Sequence, residues 1–356
     1  MGQAPTIFEG DARAALTLLS YDELAGFEDD DHLEAFACWR RSAGAIIEGL
    51  APTRPGVATP TGLQKAARAA LALKIETRRE ARAFFIAHFR PFRVSPDDGR
   101  GAGFVTGYYE PLIKGAFAPW SEFSAPVLGR PADLNSLQPH HDRAAIELAA
   151  ASGETTPILW LEDHVELFLA QVQGAARVAL PDGRQIRLAY DGRNSRPYTS
   201  IGRLLIDQGE IAAKDMSLAA LKSWLRANGQ KPGDKGRDLM QRNRSYVFFR
   251  IEERFDPADG PTGGEGIALT PLRSIAVDRA VWPYGAPFFL NANLPWRGAG
   301  PSPFRRLMIA QDTGSAILGR ARADIFFGSG DEAGRRAGDI RHDADFAALL
   351  PRETPP

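Results

Sequence analysis

The stretch Arg322-Ala323-Asp324-Ile325-Phe326-Phe327-Gly328 decides how the C-terminal part of this chain is interpreted. Its β-branched and aromatic residues, ended by glycine, predict a short strand that opens on Asp324. Other short apolar runs precede it between Gly- and Pro-rich turns, at Tyr246–Arg250, Ser274–Val277, Phe288–Leu290 and Leu307–Ala310. Many short strands separated by such turns predict a small closed barrel.

Upstream of this region the pattern changes from helical to mixed. Apolar residues recur at helical spacing through residues 20–92, which predicts helices there that end at Pro91. A strand is predicted at Phe104–Pro111, where aromatic and β-branched residues stop at a proline. Helices are then predicted at Arg143–Ala151, Ile201–Asp207 and Leu218–Asn228, and a hairpin from Ala176 to Tyr190 around Pro181-Asp182-Gly183.

Composition excludes several classes of protein. The 356 residues are 44% hydrophobic and 24% charged, with a formal net charge of −1, which is ordinary for a globular protein with a normal core. This balance gives no general attraction for nucleic acid or an anionic membrane, so neither is predicted as a partner. The single cysteine, Cys38, makes an internal disulfide impossible.

No apolar run reaches the length of a membrane-spanning helix, so no transmembrane segment is predicted. The start, Met1–Thr6, has no basic or apolar leader pattern. We therefore expect a soluble chain that is either not exported or lacks its leader. The six histidines are scattered, with no His-Glu-x-x-His pair and no P-loop lysine, so neither a metal site nor a cofactor is predicted.

Three aspartates stand at the ends of predicted C-terminal strands: Asp278, Asp312 and Asp324. A carboxylate beside apolar strand residues is costly to ionise, which raises its pKa. An acid kept neutral near pH 7 is what protonation of a glycosidic oxygen requires, and a second carboxylate nearby would raise the pKa further or orient the group. Asp and Thr-Gly also form ordinary turns, so a purely structural role stays open on these grounds.

A second group consists of aromatic and amide side chains in predicted loops, which are the types that stack on sugar rings and bond hydroxyl groups. They are Tyr108, Tyr109, Gln171, Gln173, Tyr198 and Tyr246. Each alone is commonly a packing residue, and together they favour a glycan groove only weakly.

These segments together resemble the MltA family, the membrane-bound lytic murein transglycosylase A proteins. The stretch Gly103-Phe104-Val105-Thr106-Gly107-Tyr108-Tyr109-Glu110-Pro111 resembles the family's first block. Further blocks follow in the family's order at Gln171–Gly174, Tyr198–Gly202, Asn243–Phe249, Ala276–Asp278 and Pro283–Gly285. The end, Ala310–Gly319 with Arg322–Gly328, resembles the three-aspartate "3D" domain, whose aspartates would be Asp278, Asp312 and Asp324.

The resemblance implies a mainly β fold with N-terminal helices, of the α+β class. Its centre would be a double-psi β-barrel with an inserted, β-rich second domain and a glycan groove between them. On this chain, residues 1–115 and 245–356 would form the barrel domain with its helices and C-terminal 3D segment. Residues 116–244 would form the inserted substrate-binding domain.

The resemblance also implies a lyase, a peptidoglycan lytic exotransglycosylase. It would cleave the β-1,4 bond between N-acetylmuramic acid and N-acetylglucosamine and form 1,6-anhydromuramic acid. Asp324 would serve as acid and then as base, Asp312 would orient or tune it, and Asp278 would support a barrel turn. The implied substrate-binding residues are Thr106, Tyr108, Tyr109, Glu110, Gln171, Gln173, Gly174, Tyr198, Ser200, Tyr246 and Gly314.

Two alternatives stay open: a non-catalytic peptidoglycan-binding barrel protein, and a hydrolytic muramidase that uses water. The implied partners are peptidoglycan glycan strands and proteins of a cell-wall synthesis or hydrolysis complex. The implied location is the periplasm, at the outer membrane.

Overall fold

The structure is a computed structural model that describes residues 16–97, 99, 101–135, 138–298 and 300–352. The described residues form two compact units. The first unit contains residues 16–108, 262–328 and 339–352, and the second contains residues 109–261 and 329–338. The chain therefore leaves the first unit, builds most of the second, and returns.

The described residues form fourteen strands and nine α-helices. The strands are β1 (Leu16–Leu18), β2 (Phe89–Val94), β3 (Gly103–Glu110), β4 (Leu112–Ala116), β5 (Ala125–Leu128), β6 (Pro157–Leu161), β7 (Ala176–Ala179), β8 (Gln185–Arg193), β9 (Val247–Glu252), β10 (Ser274–Val277), β11 (Pro287–Leu294), β12 (Ser302–Asp312), β13 (Arg322–Ser329) and β14 (Arg341–Pro351). The helices are α1 (His32–Glu48), α2 (Thr61–Ala72), α3 (Arg78–His88), α4 (Arg143–Ala151), α5 (His164–Gln173), α6 (Ile201–Asp207), α7 (Leu218–Ala227), α8 (Lys235–Arg242) and α9 (Asp331–Gly338).

A closed β-barrel forms the centre of the first unit. Six strands pair around it in the order β14-β11-β12-β10-β13-β3, and β3 pairs back onto β14 to close the ring. Strands β10 and β12 run parallel, whereas β10 and β13 run antiparallel. Strands β2 and β1 extend the sheet outward from β14. Closure removes the unpaired edges that an open sheet would expose.

The N-terminal helices pack on this barrel through an apolar cluster. Trp39 of α1 and Phe85 of α3 are fully buried and share the cluster with Phe289 and Leu307 of the barrel. Helix α1 begins where the carboxylate of Asp31 accepts the N–H of Glu34, and it ends at a glycine in the left-handed region. The predicted helical region thus contains α1 to α3, but Pro91 lies within strand β2, after the helices have ended.

The second unit has its own six-stranded sheet, in the order β5-β6-β4-β7-β8-β9. An apolar cluster that includes Val127, Leu161, Val178 and Phe249 fills one face of it. The predicted hairpin is confirmed as β7 and β8, with Gly183 supplying a positive φ of 86° in the turn. The predicted barrel with an inserted β-rich unit is thereby confirmed as the architecture.

The boundaries between the units differ from those predicted. The run at Tyr246–Arg250 was expected in the barrel, but its strand β9 pairs antiparallel with β8 in the second sheet. Residues 109–115 and 245–261 consequently lie in the second unit, as does the helix-bearing segment 329–338. An apolar pattern identifies a strand but not the sheet that it joins, because pairing partners are distant in sequence.

Among the described residues, none of the helices combines the length and the apolar character that crossing a bilayer demands.

Candidate active site

The strand register of the barrel places two of the predicted aspartates opposite the same residue of the strand between them. Ala276 of β10 pairs with Asp312 of β12 on one side and with Asp324 of β13 on the other. Neighbouring strands lie about 4.8 Å apart, so the two aspartate backbones are roughly 10 Å apart across β10. Asp312 comes opposite Ala276 because the register between β10 and β12 shifts after Ile275, where Gln311 is an extra residue of β12.

Asp324 is half-buried and is bonded through one of its oxygens. The hydroxyl of Thr106, from the neighbouring strand β3, donates to Asp324 Oδ1 at 2.6 Å. Thr106 Oγ1 in turn accepts from Arg322 Nη2 at 2.7 Å. Burial raises the pKa of Asp324 and the Asp312 charge adds to this, whereas the Arg322 charge and the Thr106 hydrogen bond oppose it. The net shift is upward, so Asp324 holds its proton to higher pH than an ordinary aspartate.

Asp312 is buried and accepts bonds through both oxygens. Tyr108 donates its hydroxyl to Oδ2 at 2.8 Å. The backbone N–H groups of Gly264 and Thr313 donate to Oδ1, each at 2.8 Å. Arg54 Nη2 lies 3.0 Å from the same oxygen. These donors match an ionised carboxylate, which can only accept.

Tyr108 is hydrogen-bonded to Asp312, and its pKa is affected by the charges of both aspartates. Its ring packs against Phe326 with centroids 5.3 Å apart, and its hydroxyl is bonded to Asp312. Burial raises its pKa well above the ordinary value, and the charges of Asp312 and Asp324 raise it further. Tyr108 therefore keeps its proton and acts as a hydrogen-bond donor throughout the neutral range.

Asp278 lies apart from these contacts, at the end of β10. Its Oδ1 accepts the N–H of Ala280 and its Oδ2 accepts the N–H of Gly319, at 2.9 and 2.8 Å. This pattern links two loops of the barrel, as a turn-supporting residue does. Gly314 follows the Asp312–Thr313 pair and packs close to Ile317.

The remaining predicted sugar contacts belong to the second unit. Gln173 at the end of α5 accepts the backbone N–H of Tyr109 at 3.1 Å, and Gly174 ends that helix with a positive φ of 86°. Tyr198 is half-buried, and Ser200 caps α6 by accepting the N–H of Arg203. Gln173, Tyr198 and Ser200 lie at a helix end or in a loop and are exposed or half-buried, so their side chains can reach a ligand.

Besides Tyr109, which is 6% exposed, three other predicted contacts have buried side chains in the second unit. Tyr246 is 2% exposed and Gln171 is 4% exposed. The Gln171 amide accepts from Arg143 at 2.6 Å and donates to the carbonyl of Val247 at 3.2 Å. The guanidinium of Arg143 lies over the Tyr246 ring, 5.1 Å from its centroid. Both residues therefore hold this part of the fold together, and neither presents a face to a sugar.

Glu110 is the third of these predicted sugar contacts with a buried side chain, and it has no exposed surface. Its carboxylate accepts from Arg177 at 2.7 Å, from Arg187 at 2.5 Å and from the hydroxyl of Ser329 at 2.6 Å. Both arginines also donate to the carbonyl of Asp259. The prediction of direct sugar contact does not suit this carboxylate, since its acceptor positions are filled by protein donors.

Sequence reasoning missed Arg54, Arg322 and Glu265. Arg54 lies in the loop after α1, far along the chain from the aspartate it pairs with, and Arg322 looks like an ordinary surface cation at the start of a strand. Glu265 follows Gly264 and is 4% exposed. Burial raises its pKa to about 8, although Ser42 Oγ donates to its Oε2 at 2.7 Å. The run Gly263-Gly264-Glu265-Gly266, a charged residue among glycines, was the available signal.

Nothing in this arrangement is suited to holding a metal ion. In the described part of the chain, no group of three or more His, Cys, Asp or Glu side chains is placed to ligate one. The donors around Asp312 and Asp324 are amides, hydroxyls and arginines. The fold and the site thus define a class of β-barrel protein that carries a half-buried carboxyl group able to exchange a proton, beside a second carboxylate held by fixed donors.

Comparison with known proteins identifies the family. Residues 104–250 match the MltA specific insert domain, and residues 273–350 match the 3D domain. The membrane-bound lytic murein transglycosylase A of Vibrio cholerae is 35% identical over 252 residues, which are 69% of this chain and 64% of that protein. The matched region thus spans just under two thirds of the length of this curated relative. The chain belongs to the membrane-bound lytic murein transglycosylase A family.

Solved structures agree with this assignment. The crystal structure of membrane-bound lytic murein transglycosylase from Agrobacterium tumefaciens superimposes with a TM-score of 0.83 at 33% identity, covering 95% of this chain and 98% of that one. Escherichia coli MltA with bound chitohexaose gives a TM-score of 0.68 at 28% identity, covering 92% of this chain and 90% of that one.

Proposed function

We propose that this protein is a peptidoglycan lytic transglycosylase that uses Asp324 as its acid and base. It cleaves the β-1,4 bond between N-acetylmuramic acid and N-acetylglucosamine without consuming water. The observation that carries the proposal is the contrast between the two aspartates. Asp312 accepts from fixed donors on both oxygens, whereas Asp324 is bonded through Oδ1 and has a raised pKa.

The proposed reaction needs one carboxyl group that works twice. Protonated Asp324 gives its proton to the glycosidic oxygen as the bond to C1 of the muramic residue breaks. The resulting carboxylate then takes the proton of that residue's C6 hydroxyl, whose oxygen attacks C1. The C6–O–C1 bond closes the 1,6-anhydro ring, and the proton returns to Asp324.

The state of Asp312 favours this route over ordinary hydrolysis. Hydrolytic glycosidases use a second carboxylate as nucleophile or to activate water. Here the second carboxylate is buried and bonded to Tyr108, Gly264, Thr313 and Arg54. A substrate that supplies its own nucleophile removes the need for it.

The proposed substrate is a glycan strand of peptidoglycan, in keeping with the oligosaccharide bound by the Escherichia coli relative. We place the exposed or half-buried candidates Gln173, Tyr198 and Ser200 among its contacts. The proposed setting is the periplasm at the outer membrane, in association with other cell-wall proteins. Fractionation of cells and cross-linking of the tagged, full-length native protein would test that setting.

The direct test compares wild type with Asp324→Asn on purified sacculi, followed by mass spectrometry of the products. Wild type is expected to release anhydro-ended muropeptides, each one water lighter than its hydrolysed counterpart. Asp324→Asn keeps the side-chain size but cannot deliver the proton, so release should fall by at least about a hundredfold. Asp343→Asn, an exposed aspartate on β14, is the matched control and should behave as wild type.

The two alternatives give different results in the same experiment. Reducing ends in place of anhydro ends would indicate a muramidase. Retained sacculus binding with no cleavage by wild type would indicate a binding protein. Undiminished cleavage by Asp324→Asn would remove Asp324 from the mechanism.

A further inference from the structure

Two consecutive hydrogen bonds connect the guanidinium of Arg322 to the carboxyl group of Asp324, the proposed acid. Arg322 and Asp324 are two residues apart on β13, so their side chains project from the same face of the strand. Thr106 reaches them from β3, the adjacent strand of the barrel. Arg322 Nη2 lies 2.7 Å from Thr106 Oγ1, which lies 2.6 Å from Asp324 Oδ1.

The chemistry of these groups fixes the direction of both bonds. A guanidinium can only donate, so the Thr106 oxygen accepts from Arg322. A hydroxyl has one hydrogen, and within the described part of the chain the acceptor bonded to it is Asp324 Oδ1. Oδ1 therefore accepts a hydrogen bond. Among the described residues no donor or acceptor is bonded to Oδ2, which leaves that oxygen for the acid proton.

We propose that Arg322, acting through the hydroxyl of Thr106, is a positioning residue that holds Oδ1 of Asp324 as an acceptor and so directs the acid proton to Oδ2. The inference rests on the proposed role of Asp324 as acid and base. It gives Thr106 a role different from the sugar contact predicted for it, because its hydroxyl is occupied by two protein partners.

The charges around Asp324 suit a group that must give a proton and take it back. Arg322 faces it from its own strand, Thr106 and Tyr108 lie on the adjacent strand β3, and Asp312 lies on β12, across β10. Burial and the Asp312 charge raise the pKa of Asp324, while Arg322 and Thr106 lower it. The Arg322–Thr106 pair thus stabilises the carboxylate formed after protonation of the leaving group, which burial alone would disfavour.

The test uses three substitutions and two measurements. Thr106→Val keeps the shape but removes the hydroxyl, Thr106→Ser keeps the hydroxyl, and Arg322→Met keeps the length but removes the charge. Arg320→Met is the matched control, because Arg320 pairs with Asp97 at the surface. The titration of the Asp324 carboxyl carbon is followed by carbon-13 NMR in the substrate-free protein, and kcat and KM for anhydro-product release are measured against pH.

Thr106→Val and Arg322→Met are expected to move the Asp324 titration to higher pH and to lower kcat by roughly ten- to a hundredfold, the size of a lost hydrogen bond to a charged group. KM should stay within about twofold, because the substrate contacts are retained. Thr106→Ser should restore the titration to its wild-type position, and Arg320→Met should not move it.

An unmoved titration in Thr106→Val or in Arg322→Met, or equal shifts in Thr106→Val and Thr106→Ser, would overturn the inference. If Arg322→Met does not fold, the Thr106 pair still tests whether the hydroxyl that Arg322 contacts sets the titration of Asp324. Because the titration is read without substrate, it is independent of the proposed activity. Undiminished cleavage by Asp324→Asn would refute the proposed function even if the titration shifts were as expected.

Discussion

Arg54 Nη2 lies 3.0 Å from Asp312 Oδ1, so a residue of the N-terminal helical region completes the surroundings of an aspartate near the C-terminus. Arg54 Nη1 also donates to the carbonyl of Thr313 at 2.6 Å. The backbone N–H of Arg54 donates to the carbonyl of Gly264, the residue whose own N–H binds Asp312. The loop after α1 is therefore part of the setting that holds Asp312.

Replacing Arg54 by methionine should destabilise the protein. The Asp312 side chain would stay buried without its counter-charge, and we expect the free energy of unfolding to fall by about 2–4 kcal/mol, somewhat less than for a fully buried pair. Urea unfolding measures the change. The double variant with Asp312→Asn should recover part of the loss, and no recovery would contradict an ion-pair explanation. Arg184→Met, at an exposed pair with Asp182, should cost less than about 1 kcal/mol.

The pH dependence of cleavage should shift in a defined direction when Asp312 is neutralised. Cleavage requires protonated Asp324, so activity is lost as pH rises through the raised pKa of that group. The Asp312 charge contributes to raising this pKa. Asp312→Asn removes the charge, and the alkaline limb of the rate profile should therefore move to lower pH.

Initial rates of anhydro-product release across the pH range check this shift. Asp343→Asn, which changes an exposed carboxylate by the same substitution, should leave the limb in place. If the alkaline limb of the Asp312→Asn rate profile moved to higher pH, the Asp312 charge could not be raising the pKa of Asp324.

Local pattern was sufficient to predict many elements of the fold. The helices at Arg143–Ala151 and Ile201–Asp207 and the strand at Ser274–Val277 have the predicted bounds. Each is set by neighbouring residues, through apolar spacing and a polar residue at its start. The sequence predicts β9 in the barrel, but it pairs with β8 of the second sheet, a partner far away along the chain that no nearby residue specifies.

In the candidate site, too, some residues are indicated by the sequence and others are revealed only by the fold. Resemblance to the family indicated Asp312 and Asp324, but Asp312 comes opposite Ala276 through a register shift in which Gln311 is an extra residue of β12, and no local pattern shows it. Arg54 and Arg322 have ordinary surroundings in sequence, and only the fold gives them their partners. Their contacts are long-range ion pairs and hydrogen bonds, which hydrophobic periodicity does not report.

Glu110 should matter for stability and not for glycan binding. Its carboxylate has no exposed surface and neutralises Arg177 and Arg187. Glu110→Gln leaves both cations without a counter-charge and should lower the free energy of unfolding by about 3–5 kcal/mol. Urea unfolding gives this value, and titration calorimetry with chitohexaose on the folded variant gives the affinity.

We expect that affinity to be within about twofold of wild type, a difference smaller than one lost hydrogen bond produces. Glu154→Gln, an exposed glutamate in the same unit, should change stability by less than about 0.5 kcal/mol. A selective loss of chitohexaose binding by stable Glu110→Gln protein would restore the sugar-contact role that burial argues against.

Glu265 should make the stability of the protein fall as pH rises through the neutral range. Burial raises its pKa to about 8 from an ordinary value of 4.5, so the folded state holds a proton there that the unfolded state has released. Between these two values the unfolded state binds fewer protons, and the free energy of unfolding decreases with pH. Below pH 4.5 Glu265 is protonated in both states, so it causes no loss of stability. Above about pH 8 it is ionised in both states, and the loss of stability no longer grows.

Glu265→Gln removes this titration while keeping the shape of the side chain, and its carbonyl can still accept from Ser42. The difference in unfolding free energy between wild type and variant, measured by urea unfolding from about pH 5 to about pH 9, should shift steadily in favour of the variant as pH rises. Glu48→Gln, on an exposed position of α1, should show no such trend. A pH-independent difference for Glu265→Gln would mean that Glu265 is ionised in the folded protein, with a cation or water compensating its burial.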